Sequence, residues 1–333
     1  MSARARLGAA TIGLAFLATL LARTGALAGA DSKPGPGRSP RASAPSAQRF
    51  AVGERVIAFV DRGRTVVYPG RRPGPRPLVT VIRYPADGAP GRVDVRRATP
   101  DTAAGPFPLV VFGHGFAVTP AVYYRLLRAW AAVGYVVAAP VFPLENAHAP
   151  GGPDESDLVN QPRDMSFVIS QILSLSATRG SVLHGLVDPR EIAVAGQSDG
   201  GETALAVAYD RFYRDRRVRA AVILSGAQIP SVDALTFGPG EPALLASQGT
   251  ADTTNRPRNT YAFFALARRP KFLLRLLDAG HLPPYTYEQP QLGIVERVSV
   301  AFLDRYLKDD RDGIARMQRL GGIPGIAAVT SEP

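Results

Sequence analysis

The sequence predicts an α/β fold, with a mostly parallel sheet covered by helices on both faces. From about residue 50 onward, short apolar runs rich in β-branched residues alternate with longer amphipathic runs. Continuous apolar strands are typical of parallel sheets, in which helical crossovers bury both faces. Hydrophobic residues make up 46% of the 333-residue chain, enough for a large core. No second change of composition follows, so we expect one domain over residues 50–320.

The first thirty residues predict a signal peptide. Arg4 and Arg6 precede an apolar run over residues 7–21, and small residues follow. This run is shorter than the ~20 residues of a membrane-spanning helix, which favours cleavage after export over a retained anchor. Residues 31–49 are rich in Pro, Ser and Gly and predict a disordered linker. We therefore expect a secreted or extracytoplasmic bacterial protein, without stable membrane insertion after cleavage.

Charge and cysteine content exclude several classes of function. The net charge is +11, and the arginines are scattered through linker, loops and helices. A solvated basic surface is favoured over nucleic-acid binding, which needs a clustered basic stripe. Cysteine is absent, and its absence excludes disulfides, a thiolate nucleophile and cysteine-ligated metals.

The elements of the domain follow in a regular order. Two β runs, RTVVYP and LVTVIRYP, are separated by a Pro/Gly/Arg turn and predict an antiparallel pair at one edge. Six further strands then alternate with five helices; the strands lie in PLVVFGHG, YVVAAPVFP, EIAVAGQS, VRAAVILSG, PALLASQGTAD and KFLLRLLDAGH. Gly134 is placed to end the first helix. Residues 321–333 show no period and predict a loosely ordered tail.

A glycine-flanked serine stands where a predicted strand meets a predicted helix. Residues 196–200 read Gly-Gln-Ser-Asp-Gly and fit the pattern G-x-S-x-G. Small residues are needed there because the serine lies on a strained turn that neighbouring elements approach closely. The pentapeptide alone is a weak signal in a chain with 33 glycines. Its position between strand and helix makes it specific and predicts Ser198 as a nucleophile.

A serine hydroxyl needs a base within hydrogen-bond reach. At turns of this kind the chain order is serine, acid, histidine, and His281 is the only histidine after Ser198. The acid that orients the imidazole should end an earlier strand, which favours Asp252. Asp233 and Asp278 remain alternatives, although Asp278 is close to His281 in sequence. Because the base must be neutral, we expect activity to fall as the pH drops through roughly 6–7.

Two backbone N–H groups are expected to stabilise the oxyanion that forms during acyl transfer. One belongs to Asp199, directly after the nucleophile, and the other to Phe116, in the loop after PLVVFGHG. Phe116, Phe142 and Leu282 are candidates for lining a substrate pocket, with core or loop packing as the alternative. Residues 141–164 leave a strand at the same edge and are expected to form one pocket wall.

The loops also limit what covers this edge. Only 15 residues separate VILSG from PALLASQ, too few for a large helical cap domain. Three acidic residues, Asp154, Glu155 and Asp157, lack the spacing of a calcium loop and predict a solvated turn.

The segments VVFGHGF, GYVVAAPVFP, GQSDGG, QGTAD, DAGH and AFLDRYLK together resemble the α/β-hydrolase superfamily over residues 50–310. Within it the chain resembles secreted bacterial serine esterases related to the platelet-activating-factor acetylhydrolase, chlorophyllase and polyester-hydrolase groups. The resemblance implies hydrolysis of lipid-like or small acyl esters through an acyl-enzyme, with no metal or organic cofactor. A single Gly115 after His114 and the absence of a cysteine pair depart from a cutinase-like pattern.

Two other functions use the same residues differently. A peptidase or amidase needs the same serine, histidine and aspartate, because acyl transfer needs these groups for either leaving atom. A binding protein could keep the fold without catalysis. The presence of Ser198, Asp252 and His281 together argues against that second alternative.

Overall fold

A computed structural model describes residues 50–228 and 234–333. The predicted signal peptide, the predicted linker and Asp233 lie outside these ranges. Within them, no helix combines the length and the apolar character needed to cross a membrane.

In the described residues ten strands form one sheet. They are β1 (Ala51–Val66), β2 (Gly74–Ala86), β3 (Val95–Arg96), β4 (Phe107–Gly113), β5 (Val136–Pro140), β6 (Val187–Gln197), β7 (Val218–Leu224), β8 (Ala243–Gly249), β9 (Lys271–Leu276) and β10 (Ala327–Glu332). Their order across the sheet is β10-β9-β8-β7-β6-β4-β5-β2-β1-β3.

The centre of the sheet is parallel and its edges are mixed. Strands β5, β4, β6, β7, β8 and β9 pair in parallel. Strands β1 and β2 form the expected antiparallel pair beside β5, although β1 begins at Ala51, well before the RTVVYP run. The prediction of a mostly parallel sheet is confirmed. Its parallel strands all end at one edge, where open α/β sheets place their sites.

Helices cover both faces of the sheet. They are α1 (Tyr124–Ala132), α2 (Gln161–Ala177), α3 (Asp199–Tyr209), α4 (Pro257–Leu266), α5 (Gln291–Leu307) and α6 (Gly313–Gly321). Side chains of α1, α5 and α6 pack on one face with Val110 and Phe112 of β4, and those of α2, α3 and α4 pack on the other with Leu109 and Val111. This alternation along β4 is the period of two that places successive side chains on opposite faces.

The C-terminal residues differ from the loosely ordered tail that the sequence predicts. Ala327–Glu332 pair antiparallel with β9 along their whole length. An edge strand is held mainly by backbone hydrogen bonds, so it needs no apolar period, and the polar stretch VTSE gave no strand signal. The folded domain therefore extends to residue 332 rather than 320.

Residues 141–164 are anchored to the sheet by a buried ion cluster. Arg76 of β2 is 1% exposed and binds both carboxylate oxygens of Asp157 and of Asp164, at 2.6–2.9 Å. The prediction of a solvated acidic turn is wrong for Asp157, because a distant arginine neutralises it. Asp154 and Glu155 are exposed as predicted.

The crossover between β7 and β8 spans residues 225–242. Its described residues, 225–228 and 234–242, include no helix. This agrees with the prediction that the fold has no large cap domain.

Candidate active site

Ser198 occupies a strained turn between β6 and α3. Its backbone angles are φ 55° and ψ −126°, a region that residues with a Cβ atom rarely adopt. A Cβ on Gly196 would lie 2.0 Å from the carbonyl oxygen of Gly200, and one on Gly200 would lie 2.1 Å from that of Gly113. The close packing of β4, β6 and α3 therefore requires glycine on both sides of the serine.

Three side chains from separate loops form one hydrogen-bonded chain. Nε2 of His281 lies 2.9 Å from Oγ of Ser198, and Nδ1 lies 2.8 Å from Oδ2 of Asp252. Ser198 follows β6, Asp252 follows β8 and His281 follows β9, so all three lie at the carboxyl edge of the sheet. The Asp252 side chain is fully buried, whereas that of His281 is 18% exposed. The hydrogen-bonded chain of these three side chains is therefore buried at its aspartate end and partly exposed to solvent at His281.

The surroundings of Asp252 favour its charged form. Oδ1 accepts hydrogen bonds from the backbone N–H groups of Thr254 and Asn255, both at 2.9 Å, and Oδ2 accepts one from Nε2 of Gln248 at 3.1 Å. Burial by itself would raise the pKa of Asp252, but the hydrogen bond and charge of His281, together with these donors, hold that pKa below its ordinary value. An ionised Asp252 keeps the proton on Nδ1 and leaves Nε2 free to accept one.

The alternative acids do not contact the histidine in the described residues. Asp278 is exposed, and its backbone N–H donates to Oγ1 of Thr250. Asp233 lies outside the described ranges. Of the acids weighed from the sequence, the structure brings Asp252 to His281.

The loop after β4 passes directly beside the serine. A Cβ on Gly115 would lie 3.1 Å from Cβ of Ser198. Phe116 comes next and is 42% exposed. Asp199 begins α3, in the first turn, where backbone N–H groups have no acceptor within the helix. Both predicted oxyanion donors thus belong to segments next to Ser198, and their role stays a prediction.

The structure separates the three candidate pocket residues. Phe142 is fully buried, with its ring 4.8 Å from that of His114. The prediction that Phe142 lines the pocket is wrong, because its backbone N–H is bound to Nε2 of His114 at 3.0 Å and its side chain packs into the core. Leu282 is partly buried against the opposite core cluster. Phe116 alone of the three is exposed, at 42%.

His114 itself has a structural role. Its Nδ1 lies 2.8 Å from the carbonyl oxygen of Gly115, and burial lowers its pKa to about 4. The neutral ring therefore joins the end of β4 to the segment that follows β5.

Two buried residues that sequence reasoning did not identify connect the loops of the site. The hydroxyl of Tyr123 donates to Oε1 of Gln197 at 2.7 Å and accepts from the N–H of Gly115 at 3.2 Å. Nε2 of Gln197 donates to the carbonyl oxygen of His281 at 3.1 Å. Gln197 could have been noticed as the residue before Ser198, whereas nothing in the sequence marks Tyr123.

Comparisons with known proteins agree with this architecture. A model of the chlorophyllase family matches residues 89–225, a range that contains Ser198 and ends before Asp252. A solved ferulic acid esterase from Streptomyces cinnamoneus is similar in structure, with a TM-score of 0.63 and 22% sequence identity, covering 87% of this chain and 98% of that one. A search of curated proteins found no match.

The chain has the α/β-hydrolase fold. The similarity to a solved structure over 87% of the chain decides this, together with the sheet order. The fold prediction made from the sequence is confirmed.

The structure also has a groove of about 700 Å³, with Phe116 in its lining. One wall is the turn after β1, and the other belongs to residues 144–155. A Cβ on Gly151 would lie 2.5 Å from Cγ of Pro69, so the two walls touch at that point. The lining is mostly apolar and is made by Val67, Tyr68, Pro69, Gly70, Arg71, Phe116, Leu144, Pro150, Gly151, Gly152, Pro153, Asp154 and Glu155.

A second buried carboxyl lies beside Asp199, the residue after Ser198. Glu145 is fully buried, and its backbone oxygen accepts from the N–H of Ala117 at 3.0 Å. Burial, followed by the hydrogen-bonded and charged carboxyl of Asp199, raises the pKa of Glu145 to about 11. Glu145 is therefore protonated at neutral pH.

Proposed function

We propose that this α/β-hydrolase is a secreted serine hydrolase that cleaves carboxylic esters of lipid-like or small acyl groups. The observation that carries the proposal is the hydrogen-bonded chain of Ser198, His281 and Asp252, with the serine on a strained turn. The match to the chlorophyllase family and the similarity to an esterase support an ester as the substrate. Export is supported by the predicted signal peptide alone.

The first half of the reaction forms an acyl-enzyme. Oγ of Ser198 attacks the ester carbonyl while Nε2 of His281 accepts its proton, and Asp252 stabilises the imidazolium. The backbone N–H groups of Phe116 and Asp199 bind the oxyanion, each contributing about 3 kcal/mol in the transition state. The tetrahedral intermediate collapses, and the departing alcohol takes the proton from His281.

The second half releases the acid. Water attacks the acyl group on Ser198 while Nε2 of His281 accepts a proton from that water. The tetrahedral intermediate collapses, Oγ of Ser198 recovers the proton, and the carboxylic acid leaves. Every proton moves between the substrate, water and these side chains.

The groove beside Phe116 is the proposed place of the apolar part of the substrate. Its volume of about 700 Å³ is in the range of small-molecule sites, and prolines, Tyr68 and Leu144 make much of its lining apolar, beside the charged Arg71, Asp154 and Glu155. The N–H of Asp154 donates to the carbonyl oxygen of Leu144 at 2.7 Å, and Asp157, just after this wall, is bound by Arg76, so the wall is preorganised. A groove open to solvent suits chain-like or ring-bearing ester groups of varied length.

Labelling with a fluorophosphonate tests the activated serine. We expect the purified protein to label at Ser198, and Ser198→Ala and His281→Ala to abolish labelling. Asp252→Asn should slow ester hydrolysis by about 10³–10⁴-fold, because the imidazole loses its orienting carboxylate. Matched controls are Ser170→Ala, an exposed serine of α2, and Asp278→Asn. A folded wild-type protein that does not label would contradict the proposal and favour a binding protein.

Paired substrates separate an esterase from an amidase. A p-nitrophenyl ester and a p-nitroanilide of the same acyl group share every contact except the leaving atom. We expect much faster turnover of the ester, and a series of acyl lengths to report on the groove. Comparable or faster turnover of the anilide would favour a peptidase or amidase.

A further inference from the structure

We propose that Tyr123 and Gln197 are positioning residues that hold the oxyanion loop and the His281 loop in one hydrogen-bonded unit. The inference rests on the proposed function. This hydrogen-bonded unit consists of Gly115, Tyr123, Gln197 and His281, which come from four separate segments of the chain. Neither Tyr123 nor Gln197 takes part in the chemistry written above.

The contacts of the unit are continuous from one loop to the other. The N–H of Gly115 donates to the Tyr123 hydroxyl at 3.2 Å, and that hydroxyl donates to Oε1 of Gln197 at 2.7 Å. Nε2 of Gln197 then donates to the carbonyl oxygen of His281 at 3.1 Å. Gly115 directly precedes Phe116, the proposed second oxyanion donor. A shift of either loop would therefore break a hydrogen bond in the unit.

Burial makes these bonds costly to lose. Tyr123 is 0% exposed and Gln197 is 1% exposed. Removing one partner of a buried hydrogen bond leaves the other desolvated and unpaired, which is worse than removing both. Burial also raises the pKa of Tyr123, with Asp199 and Glu145 adding to the shift, so its hydroxyl stays a donor.

Gln197 also contacts the nitrogen that accepts the proton. Its Nε2 lies 3.3 Å from Nε2 of His281, the atom that lies 2.9 Å from Oγ of Ser198. A neutral amide there offers an N–H to the neutral imidazole and no negative charge to the imidazolium. On the other side of the ring, Asp252 is the charged group that faces His281, at 2.8 Å from Nδ1. Gln197 thus limits the negative charge around the base to one side.

Removal of a single hydroxyl tests the positioning of the loops. We expect Tyr123→Phe to lower kcat for p-nitrophenyl acetate by about 10-fold or more with KM nearly unchanged, because the oxyanion donors and the base lose alignment. The matched control is Tyr209→Phe, in which another buried hydroxyl, bound to the carbonyl oxygen of Pro242 at 3.0 Å, is removed far from the unit. Equal kcat values for the two folded variants would overturn the proposal.

A charge substitution at Gln197 tests its contact with His281. This test remains valid whatever the result for Tyr123→Phe. In Gln197→Glu a carboxylate replaces the amide near Nε2 of His281 and should stabilise the imidazolium. We expect the acid limb of the kcat/KM profile to move up by about one pH unit or more. Gln197→Met, which has similar size and no hydrogen bonds, should lower kcat without moving the limb. An unshifted limb in active Gln197→Glu would contradict the proposal.

The two proposals fail in different ways. A wild-type protein that neither labels with fluorophosphonate nor hydrolyses p-nitrophenyl acetate would overturn the esterase function. An active wild type whose Tyr123 and Gln197 variants behave like Tyr209→Phe would overturn the positioning unit alone.

Discussion

At the scale of single residues, two buried carboxyls near Ser198 have opposite protonation. Asp252 accepts hydrogen bonds from two backbone N–H groups, Gln248 and His281, and its pKa is lowered. Glu145 lies beside Asp199, another carboxyl, and its pKa is raised to about 11. Burial acts in the same direction on both, so the donors and charges around each carboxyl decide its state.

The raised pKa of Glu145 predicts a pH-dependent cost to stability. Above its ordinary pKa of 4.5 the unfolded chain releases a proton that the folded chain keeps, up to about pH 11. Stability from this group therefore falls as the pH rises through that window, by at most about 1.4 kcal/mol per pH unit. Glu145→Gln replaces the titratable carboxyl by a neutral amide and removes this pH dependence. We therefore expect the free energy of unfolding of the variant minus that of wild type to increase from pH 5.5 to pH 8.

Urea unfolding at the two pH values measures this difference. Glu155→Gln, at an exposed carboxyl in the same segment, is the control and should show a much smaller change. A difference between Glu145→Gln and wild type that is the same at both pH values would contradict protonation of Glu145.

At the scale of elements, the segment over residues 141–164 is held by charge rather than by regular structure. Its only helical part before α2 within these described residues is a short 3-10 helix, Glu155–Asn160. Arg76 binds Asp157 in this helix and Asp164 in α2 at once. The guanidinium of Arg76 therefore fixes the end of this segment to β2, and Arg64 of β1 adds a second contact to Asp164.

Loss of this guanidinium should destabilise the fold strongly. Arg76→Met leaves two buried carboxylates without their main partner, so we expect about 3–5 kcal/mol less free energy of unfolding in urea. Arg190→Met removes an arginine of an exposed pair with Asp188 and should leave the melting temperature unchanged. Similar melting temperatures for the two variants would show that Arg76 is dispensable.

Local signals in the sequence account for much of the architecture and little of the ion cluster. The strand and helix periods predicted the parallel sheet, and the glycines around Ser198 marked the turn that packs β6 on α3. Chain order and strand ends led to His281 and Asp252, which the structure brings within hydrogen-bond distance. Each of these signals lies within a few residues of the feature it predicts.

Features that depend on distant partners could not be predicted in this way. The sequence predicted a solvated Asp157, because its partner Arg76 lies far away in the chain, on β2. The sequence is equally compatible with a core and a pocket position for Phe142, and the hydrogen bond from its backbone N–H to His114 decides between them. Tyr123 carries no local pattern, since its hydroxyl is defined only by Gly115 and Gln197.

At the scale of the whole molecule, the sheet is completed by the last residues of the chain. β10 pairs with β9 at the edge opposite β1 and β2. Ala327 is buried, and Val329 packs against the same core cluster as α5 and α6. The C-terminal strand therefore contributes both backbone pairing and apolar contacts.

Removal of the last strand should lower thermal stability. We expect the chain lacking residues 327–333 to melt several degrees below the full chain, because β9 loses its pairing partner and the core loses Ala327 and Val329. A chain lacking only Pro333, which lies beyond β10, is the control. Differential scanning calorimetry gives both melting temperatures, and equal values would show that β10 adds nothing to the fold.

The glycine contacts around Ser198 also bear on how the enzyme could be redesigned. Gly113, Gly196 and Gly200 leave no space for a side chain where β4, β6 and α3 cross. A mutant library that varies these positions would consist mostly of unfolded proteins. New substrate preferences should instead be sought among the groove residues Tyr68, Phe116 and Leu144, where side chains already differ in size and reach into open space.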